Sequence, residues 1–343
     1  MSIFQELFGV GLPVIQAPMA GVQGSALAVA VAEAGALGSL PCALLNAEQM
    51  RAELSTVQAR TRRPINVNFF CHSQPEPAHA RETAWRTALQ PYYDEFGLPP
   101  TAQRGVERKP FDEAAASVVE DFRPAVVSFH FGLPSPGLVA RLKACGCKIL
   151  ASATTVREAL WLESRGVDAI IAQGAEAGGH RGMFLTDDLT TQAGTFALLP
   201  QIVRAVKLPV IAAGGVADAA GTAVCLALGA AGVQVGTAYL LCPETTTSAI
   251  HRAALRSEAA AHTAVTNVFT GRPARGIVNR VIRELGPISE LAPPFPLAAS
   301  ALAPLRAKAE SLGDGGFSPL WCGQNASGCM ELPAAEVTRR LAP

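Results

Sequence analysis

Short apolar runs alternate with segments of helical periodicity along the chain. The runs are apolar at consecutive positions and several end at Gly or Pro, which predicts β-strands covered on both faces. Helical patterns intervene, for example at 47–60, 155–166 and 216–230. Eight strands with intervening helices predict an α/β fold, a parallel (β/α)8 barrel of the TIM type, with a doubly wound sheet as the alternative. The eight runs lie at 13–17, 36–40, 65–70, 125–132, 148–153, 167–173, 208–215 and 231–237.

Two regions do not fit the eight repeats. Residues 71–124 include "QPYYDEFGLPPTAQ" and are interpreted as an excursion over the barrel mouth after the third strand. Residues 241–320 are helix-prone on both sides of a proline-rich stretch, which suggests a smaller, mostly helical second domain on the substrate side of the mouth. We therefore expect a barrel domain at 1–240, the second domain at 241–320, and a C-terminal segment at 321–343 that returns to the barrel.

Composition and charge narrow the function classes. The chain has 343 residues, 49% hydrophobic and 16% charged, which is typical of an enzyme with a large core. Its 28 basic and 28 acidic residues balance, which argues against nucleic acid or an anionic membrane as a partner. The start lacks a signal-peptide pattern, and no apolar run reaches the roughly 20 residues of a membrane span. A cytoplasmic monomer or homodimer is expected.

The eight cysteines are scattered through the chain and are interpreted as free thiols in a reducing compartment. The closest pair, Cys145 and Cys147, has neither a second pair nor a histidine at ligand spacing nearby. We therefore expect no metal site.

The last two predicted strands end in residues suited to an anion. In a parallel barrel the functional residues gather at the carboxyl ends of the strands. The seventh strand ends at Gly214 and Gly215, and the eighth ends at Gly236 and Thr237. Free backbone N–H groups and a helix dipole at these loops favour a phosphate. The alternative is that the glycines only close the turns between strand and helix.

Three other strand ends narrow the identity of that ligand. Pro18 and Met19 follow the first strand and offer a rigid apolar surface, whereas Asn68 ends the third strand and Gln173 ends the sixth. A side-chain amide donates and accepts hydrogen bonds at once. Such groups suit the edge of a planar heterocycle with alternating donors and acceptors, and a flavin fits this description.

The stretch "IIAQGAEAGGHRG", at 170–182, carries His180 on a glycine-rich turn directly after a buried strand. Histidine has an unperturbed pKa of about 6.5, so it can accept a proton near neutral pH. His180 is therefore the candidate base. A structural histidine that caps the loop is the alternative.

Several motifs together resemble class I nitronate monooxygenase. They are "PVIQAPMAG", "NVNFFCH", "SFHFG", "AEAGGHRG", "PVIAAGGV" and "GVQVGT", and the later segments "TNVFTGRPARGI" and "PLWCGQ" extend the likeness along essentially the whole chain. The resemblance implies non-covalent FMN and oxidation of alkyl nitronates by O2 to a carbonyl compound and nitrite. It implies neither a reduced nicotinamide nor a metal.

The resemblance also assigns residues. His180 corresponds to the catalytic histidine, and Met19 with its neighbours Ala17 and Pro18 would lie along the isoalloxazine. Gly179 and Gly214 are counted in the same cofactor site. The flavin contacts carried over by motif are Asn68, Gln173, Gly178, Gly215, Gln234, Val235, Gly236 and Thr237.

The remaining candidates surround the expected substrate. His130, Phe70 and His72 lie at or near strand ends and are candidate pocket residues, although a buried structural histidine is an alternative for His130. Arg181 can pair with phosphate or nitro oxygens, or form an outward salt bridge. The other histidines are expected at solvated helical positions, namely His79, His251 and His262.

Two rival functions stay open at this point. The first is an NAD(P)H-dependent FMN reductase of the same barrel type, acting on a quinone or an enoyl thioester, because it would share the phosphate loops. The second is a flavin-binding carrier or sensor without turnover, for which a positioned His180 would be superfluous.

Overall fold

The computed structural model describes residues 2–76, 78–99 and 108–343. Eight parallel strands form one sheet in the order β1–β9–β8–β6–β5–β4–β3–β2, and β1 meets β2 through the Ile15–Leu37 bridge. The sheet is therefore a nearly closed barrel, as the eight apolar runs predict. The strands in chain order are β1 (Val14–Gln16), β2 (Gly38–Pro41), β3 (Ile65–Phe70), β4 (Val126–His130), β5 (Lys148–Ala153), β6 (Ala169–Gln173), the separate short β7 (Gly179–His180), β8 (Val210–Ala213) and β9 (Gly232–Val235).

Helices cover the outside of the barrel, and local chemistry sets where they begin. Asn46 and Gln49 form a reciprocal capping box at the start of the third helix, which spans the predicted 47–60. The ninth is shorter than the predicted 216–230 because Asp218 caps its first turn. The first nine helices in chain order are α1 (Ile3–Phe8), α2 (Ser25–Glu33), α3 (Ala47–Arg60), α4 (His79–Glu95), α5 (Glu113–Phe122), α6 (Pro136–Ala144), α7 (Val156–Glu163), α8 (Thr195–Ala205) and α9 (Ala219–Ala227). Of these, α4 belongs to a second hydrophobic core rather than to the barrel.

The region at 241–320 combines helices with a hairpin. The helices are α10 (Ala249–Arg256), α11 (Arg280–Leu285) and α12 (Ala298–Ser311). The strands β10 (Thr263–Thr266) and β11 (Ala274–Ile277) pair antiparallel, and β11 also pairs with β7. The sequence analysis missed both strands, so the helical description of this region is incomplete. β7, which pairs with β11, lies about 95 positions earlier in the chain. A pattern within a few neighbouring residues cannot predict a pairing over that distance.

A second hydrophobic core joins this region to the excursion at 71–124. Trp85 and Leu89 of α4 pack with Leu302 and Leu305 of α12. The Trp85 indole N–H also donates to the carbonyl of Ala298 at 3.2 Å. Residues 77 and 100–107 of the predicted excursion lie outside the described residues. The proposed division of the chain into domains stays a prediction.

The C-terminal helix α13 (Ala334–Leu341) packs against α2 of the barrel, and its Thr338 hydroxyl lies 3.0 Å from the Tyr239 hydroxyl. None of the helices in the described ranges is long and apolar enough to cross a membrane.

Candidate active site

A cavity of about 460 Å³ lies at the carboxyl ends of the barrel strands. It brings together the residues that the sequence analysis selected from separate strand ends, whereas His72 does not line it. Residues from the second core, such as Leu302 and Phe317, form its outer wall. The predicted residues in the lining are Ala17, Pro18, Met19, Asn68, Phe70, His130, Gln173, Gly178, Gly179, His180, Gly214, Gly215, Gln234, Val235, Gly236 and Thr237.

The loops after β8 and β9 present unused backbone donors to the cavity. Gly214 and Gly215 have φ of +113° and +79°, a conformation that L side chains rarely adopt. Within the described ranges, neither Gly215 nor Gly236 donates its N–H to another residue. Thr237 accepts a hydrogen bond from the Gly323 N–H at 3.0 Å and keeps its own hydroxyl proton for a ligand. This arrangement suits a bound phosphate.

Two amide oxygens of residues that line the cavity also lack a hydrogen-bond partner among the described residues. The Gln234 Oε1 atom is buried and has no partner among the described residues. Asn68 donates through Nδ2 to the carbonyl and hydroxyl oxygens of Ser128, at 3.2 and 3.0 Å, which leaves its Oδ1 without a partner in the same ranges. A buried acceptor without a donor costs about 1–3 kcal/mol. A planar heterocycle that offers N–H groups would satisfy both oxygens.

Gln173 holds the loop that carries His180. Its Nε2 donates to the His180 carbonyl at 3.0 Å, and its Oε1 accepts from the Gly182 N–H at 2.7 Å. The pairing of His180 with Ala274 in the β7–β11 ladder fixes the same segment from the other side. Both ends of the Gln173 amide are thus occupied by protein, and a cofactor contact would use the second Nε2 hydrogen.

Close approach by the C-terminal segment explains the glycine at position 178. A Cβ atom added to Gly178 would lie 2.6 Å from the backbone carbon of Cys322 and 2.6 Å from the nitrogen of Gly323. Gly323 is the residue that donates to Thr237. The segment "PLWCGQ" therefore packs against Gly178 and against Thr237 in the loop after β9.

Arg181 adopts neither of the arrangements considered from the sequence. Its side chain is fully buried and does not line the cavity. It donates to the carbonyl oxygens of Gly174 and Gln173 at 2.6 and 2.8 Å, and to Gln192 Oε1 at 3.0 Å. Burial lowers the pKa of Arg181 to about 10, and Glu176 is among the carboxylates that oppose this shift. Arg181 is a structural cation behind the His180 loop.

The His180 imidazole sits in an aromatic box at the cavity wall. The ring centroids of Phe295 and Trp321 each lie 5.5 Å from its own, and those of Phe131 and Phe70 lie at 5.9 and 6.2 Å. Burial lowers the pKa of His180 well below its usual value, and neighbouring cations, Arg108 first among them, lower it further. The imidazole is therefore neutral at neutral pH.

One His180 nitrogen is held and the other is available. Nε2 lies 2.9 Å from the Thr270 hydroxyl, and that hydroxyl is 3.3 Å from the Arg272 carbonyl. If the hydroxyl donates to this carbonyl, Nε2 carries the proton and Nδ1 keeps its lone pair. No described residue bonds to Nδ1, so this atom is the candidate proton acceptor.

His130 supports the His180 backbone. Its Nε2 lies 3.0 Å from the His180 carbonyl, and its Nδ1 lies 3.0 Å from the Ser152 hydroxyl. Because a carbonyl only accepts, Nε2 must carry the proton and Ser152 must donate to Nδ1. Burial lowers the pKa of His130 to about 4, so this tautomer persists at neutral pH.

The other histidines divide into buried and exposed positions. His72 is buried behind the cavity wall, and its Nε2 atom is hydrogen-bonded to the Arg108 carbonyl oxygen at 2.9 Å. His251 was expected in solvent, and that expectation is wrong. It is buried at 4% exposure, bonds to the Trp321 carbonyl at 3.1 Å, and has its pKa lowered by burial to about 4. Its position on the inner face of α10, one turn before Leu255, explains the burial. His79 and His262 are exposed, as predicted.

Sequence reasoning missed the partners that surround His180. Thr270 and Trp321 lie within the quoted segments "TNVFTGRPARGI" and "PLWCGQ", but no local signal gave them a role. Arg108 and Phe295 lie in the two irregular regions. Only the fold brings these four side chains to one ring.

Sequence comparisons with curated relatives point to one family. A sequence model described as nitronate monooxygenase matches residues 1–343. Nitronate monooxygenase from Paraburkholderia phytofirmans is 44% identical over 98% of this chain and 92% of its own length. Nitronate monooxygenase from Pseudomonas aeruginosa is 42% identical over 98% and 97%.

A solved structure agrees with these relatives. The crystal structure of nitroalkane oxidase from Streptomyces ansochromogenes has a TM-score of 0.88 at 38% identity, covering 98% of this chain and 96% of that one. The eight-stranded barrel and its strand-end site are thus accompanied by similarity along the whole chain. This protein belongs to the nitronate monooxygenase family.

Proposed function

We propose that this protein oxidises alkyl nitronates with O2 to carbonyl compounds and nitrite, with FMN held non-covalently in the cavity. The names of the relatives, nitronate monooxygenase, and of the similar structure, nitroalkane oxidase, support the reaction class. The observation that carries the proposal is the neutral, cavity-facing imidazole of His180, which lies beside loops that suit a phosphate.

The residues fit FMN in three respects. The free N–H groups of Gly215 and Gly236 would hold its phosphate, and the unsatisfied Gln234 Oε1 and Asn68 Oδ1 would accept from polar hydrogens of the cofactor. Pro18 and Met19 would form an apolar surface against which its ring system packs. When bound, FMN supplies the redox chemistry, accepting electrons from the nitronate and passing them to O2.

His180 would act on the proton of the substrate. A neutral nitroalkane must lose its α-proton to become a nitronate, and His180 Nδ1 is the atom placed to take it. Gln173 and His130 both donate to the His180 carbonyl, and Thr270 bonds to Nε2, so the ring is held in one orientation. With a substrate that is already a nitronate, no base is needed, and His180 would position the anion.

The cellular setting is part of the proposal. All eight cysteines are free thiols, and seven of them have pKa values raised by burial, which matches a reducing cytoplasm. The protein would work there as a monomer or homodimer, with nitronate and O2 as its small-molecule partners.

The test is oxygen uptake by the FMN-loaded protein on adding propionate 3-nitronate, with no nicotinamide present. We expect uptake together with nitrite release. The variant His180→Asn should lose about 10²- to 10⁴-fold in kcat/KM on a neutral nitroalkane, as is typical of a removed general base, and less on the nitronate.

His262 is exposed, so His262→Asn provides the matched control. It should leave kcat/KM unchanged for both substrates. Absence of uptake, with anaerobic bleaching of the flavin by NADH or NADPH instead, would assign the protein to the reductase class and refute the proposal.

A further inference from the structure

Five of the described arginines lie in or just behind the wall of the active-site cavity, and one of them differs from the others. Arg306 lines the cavity and is paired with Glu310 at 2.7 Å. Arg181 and Arg275 donate to backbone carbonyls of the loop after β6, and Arg272 donates to the Met183 carbonyl while it stacks 4.0 Å from the Phe131 ring centroid. Arg108 lines the cavity, but no described residue accepts a hydrogen bond from its guanidinium.

The electrostatic surroundings of Arg108 are also different. Burial lowers the pKa of the guanidinium groups of Arg108 and of the three arginines that donate to backbone carbonyls. For those three, nearby carboxylates oppose that shift, namely Glu176, Glu158 and Asp187. Among the described residues no carboxylate opposes it for Arg108, whose pKa is lowered by burial. A cation taken out of water without a counter-ion is costly, so an anionic ligand beside Arg108 would offset the cost of burying it.

Arg108 and His180 both line the cavity and both pack on Phe295. The Arg108 Cζ atom lies 5.4 Å from the Phe295 ring centroid, and the His180 ring centroid lies 5.5 Å from that same centroid. The guanidinium is a planar fork of donors that matches the two oxygens of a planar anion. A nitronate has such a planar pair of oxygens next to the carbon that His180 would face.

We propose that Arg108 binds the two oxygens of the nitronate anion and thereby makes the enzyme favour nitronates over neutral nitroalkanes. This assignment rests on the proposed function. A neutral nitro group carries less charge on its oxygens, so it gains less from the guanidinium than the anion does.

The backbone around Arg108 is fixed from several sides. Its carbonyl accepts from His72 Nε2 at 2.9 Å and from Gln74 Nε2 at 3.1 Å, and the Phe111 N–H donates to the Phe70 carbonyl at 2.8 Å. The His72 ring also packs edge-on against Phe295, with centroids 4.9 Å apart. His72 therefore acts as a positioning residue for Arg108, although it does not touch the cavity.

The test uses nitrate as a probe, because it is a planar anion without an oxidisable carbon. Its dissociation constant for the FMN-loaded protein is measured by titration calorimetry in the wild type, Arg108→Gln and Arg108→Lys. A hydrogen-bonded charge contributes about 1.5–3 kcal/mol, so we expect Arg108→Gln to weaken nitrate binding roughly 10- to 100-fold. Arg108→Lys should lose less, since it keeps the charge without the fork.

Steady-state kinetics provide the second readout. In Arg108→Gln the KM for propionate 3-nitronate should rise by the same factor. The kcat/KM for neutral nitroethane should fall by a smaller factor, because only part of the anionic charge has developed in the transition state for proton removal. The control is Arg165→Gln, because Arg165 also stacks on an aromatic ring, with Cζ 3.6 Å from the Trp161 centroid, but lies exposed and away from the cavity. It should leave nitrate binding and both KM values unchanged.

His72 is tested by the same nitrate titration. His72→Leu removes the donor to the Arg108 carbonyl and should weaken nitrate binding, and His72→Gln should restore part of it. A purely structural role would lower the melting temperature in His72→Leu without changing nitrate affinity in the folded protein.

Unchanged nitrate affinity and unchanged nitronate KM in Arg108→Gln would overturn the assignment. Failure of the proposed function gives a different result. A wild-type protein that consumes no O2 with nitronate, yet loses nitrate binding in Arg108→Gln, would refute the reaction and confirm the anion site.

Discussion

Arg181→Met tests whether the buried guanidinium behind the His180 loop is structural. Met retains an unbranched apolar stem but removes every donor to Gln173, Gly174 and Gln192. Two bonds from a charged donor to buried carbonyls contribute about 3–6 kcal/mol in sum. Gly174 keeps a bond from the Ala177 N–H at 3.1 Å, and removal of a buried cation relieves its desolvation. We therefore take the lower end, about 3 kcal/mol of unfolding free energy.

This free energy converts into a melting temperature. Unfolding entropy of about 2.1 cal/mol/K per residue gives roughly 0.7 kcal/mol/K for a chain of 343 residues. The melting temperature of Arg181→Met should therefore fall by about 4 °C. Calorimetric melts of the FMN-free and FMN-loaded protein measure this fall in melting temperature. The exposed Arg165→Met is the control, and Arg181→Lys should show an intermediate melting temperature.

The kinetic consequence separates the structural role from a ligand role. A structural Arg181 acts through the loop that carries His180, so its loss should lower kcat/KM more on a neutral nitroalkane, which needs the base, than on a nitronate. A variant that melts with the wild type but loses affinity for nitronate or FMN would refute this reasoning and make Arg181 a direct ligand.

Two further predictions concern the loop and the base. Gly178→Ala places a Cβ atom 2.6 Å from the backbone of Cys322 and Gly323, so we expect the C-terminal segment to shift and FMN affinity to fall by about 10-fold or more, measured by fluorescence titration. Gly137→Ala, whose Cβ would meet nothing within 4 Å, should bind FMN as the wild type does, and equal affinity in both variants would contradict the account. Because burial holds the pKa of His180 well below 6.5, the base is already neutral near pH 6, so kcat/KM on a neutral nitroalkane should be level between about pH 6 and 8 and fall only at lower pH. An inflection near pH 6.5 that disappears in His180→Asn would show a solvated histidine instead.

The barrel was predictable because its signal is local. Strands buried on both faces are apolar at consecutive positions, and each of the eight predicted runs contains or overlaps a strand of the barrel. The site followed from one further rule. Parallel strands of a barrel end on the same face, so Asn68, Gln173, Gly215 and Gly236 had to converge although they are far apart in the chain.

The second region was less predictable because its strands depend on a distant partner. The hairpin β10–β11 completes its sheet with β7, which consists of only Gly179 and His180. A strand of two residues is too short for hydrophobic periodicity to predict it. The excursion at 71–124 likewise shares its core with α12, more than 200 positions away, through contacts such as Trp85 with Ala298.

By itself, the sequence determined the strands, the strand-end residues and the histidine that faces the proposed substrate. The tertiary structure decided the state of that histidine. Its bond to Thr270 spans 90 positions, and the aromatic rings around it come from the region at 241–320, the C-terminal segment and the barrel. Burial among them lowers its pKa. Tertiary packing also turned Arg181 inward and buried Arg108 without a counter-ion among the described residues. The charge state and hydrogen-bond partners of these side chains depend on which groups meet in space. The local sequence around each residue does not determine those contacts.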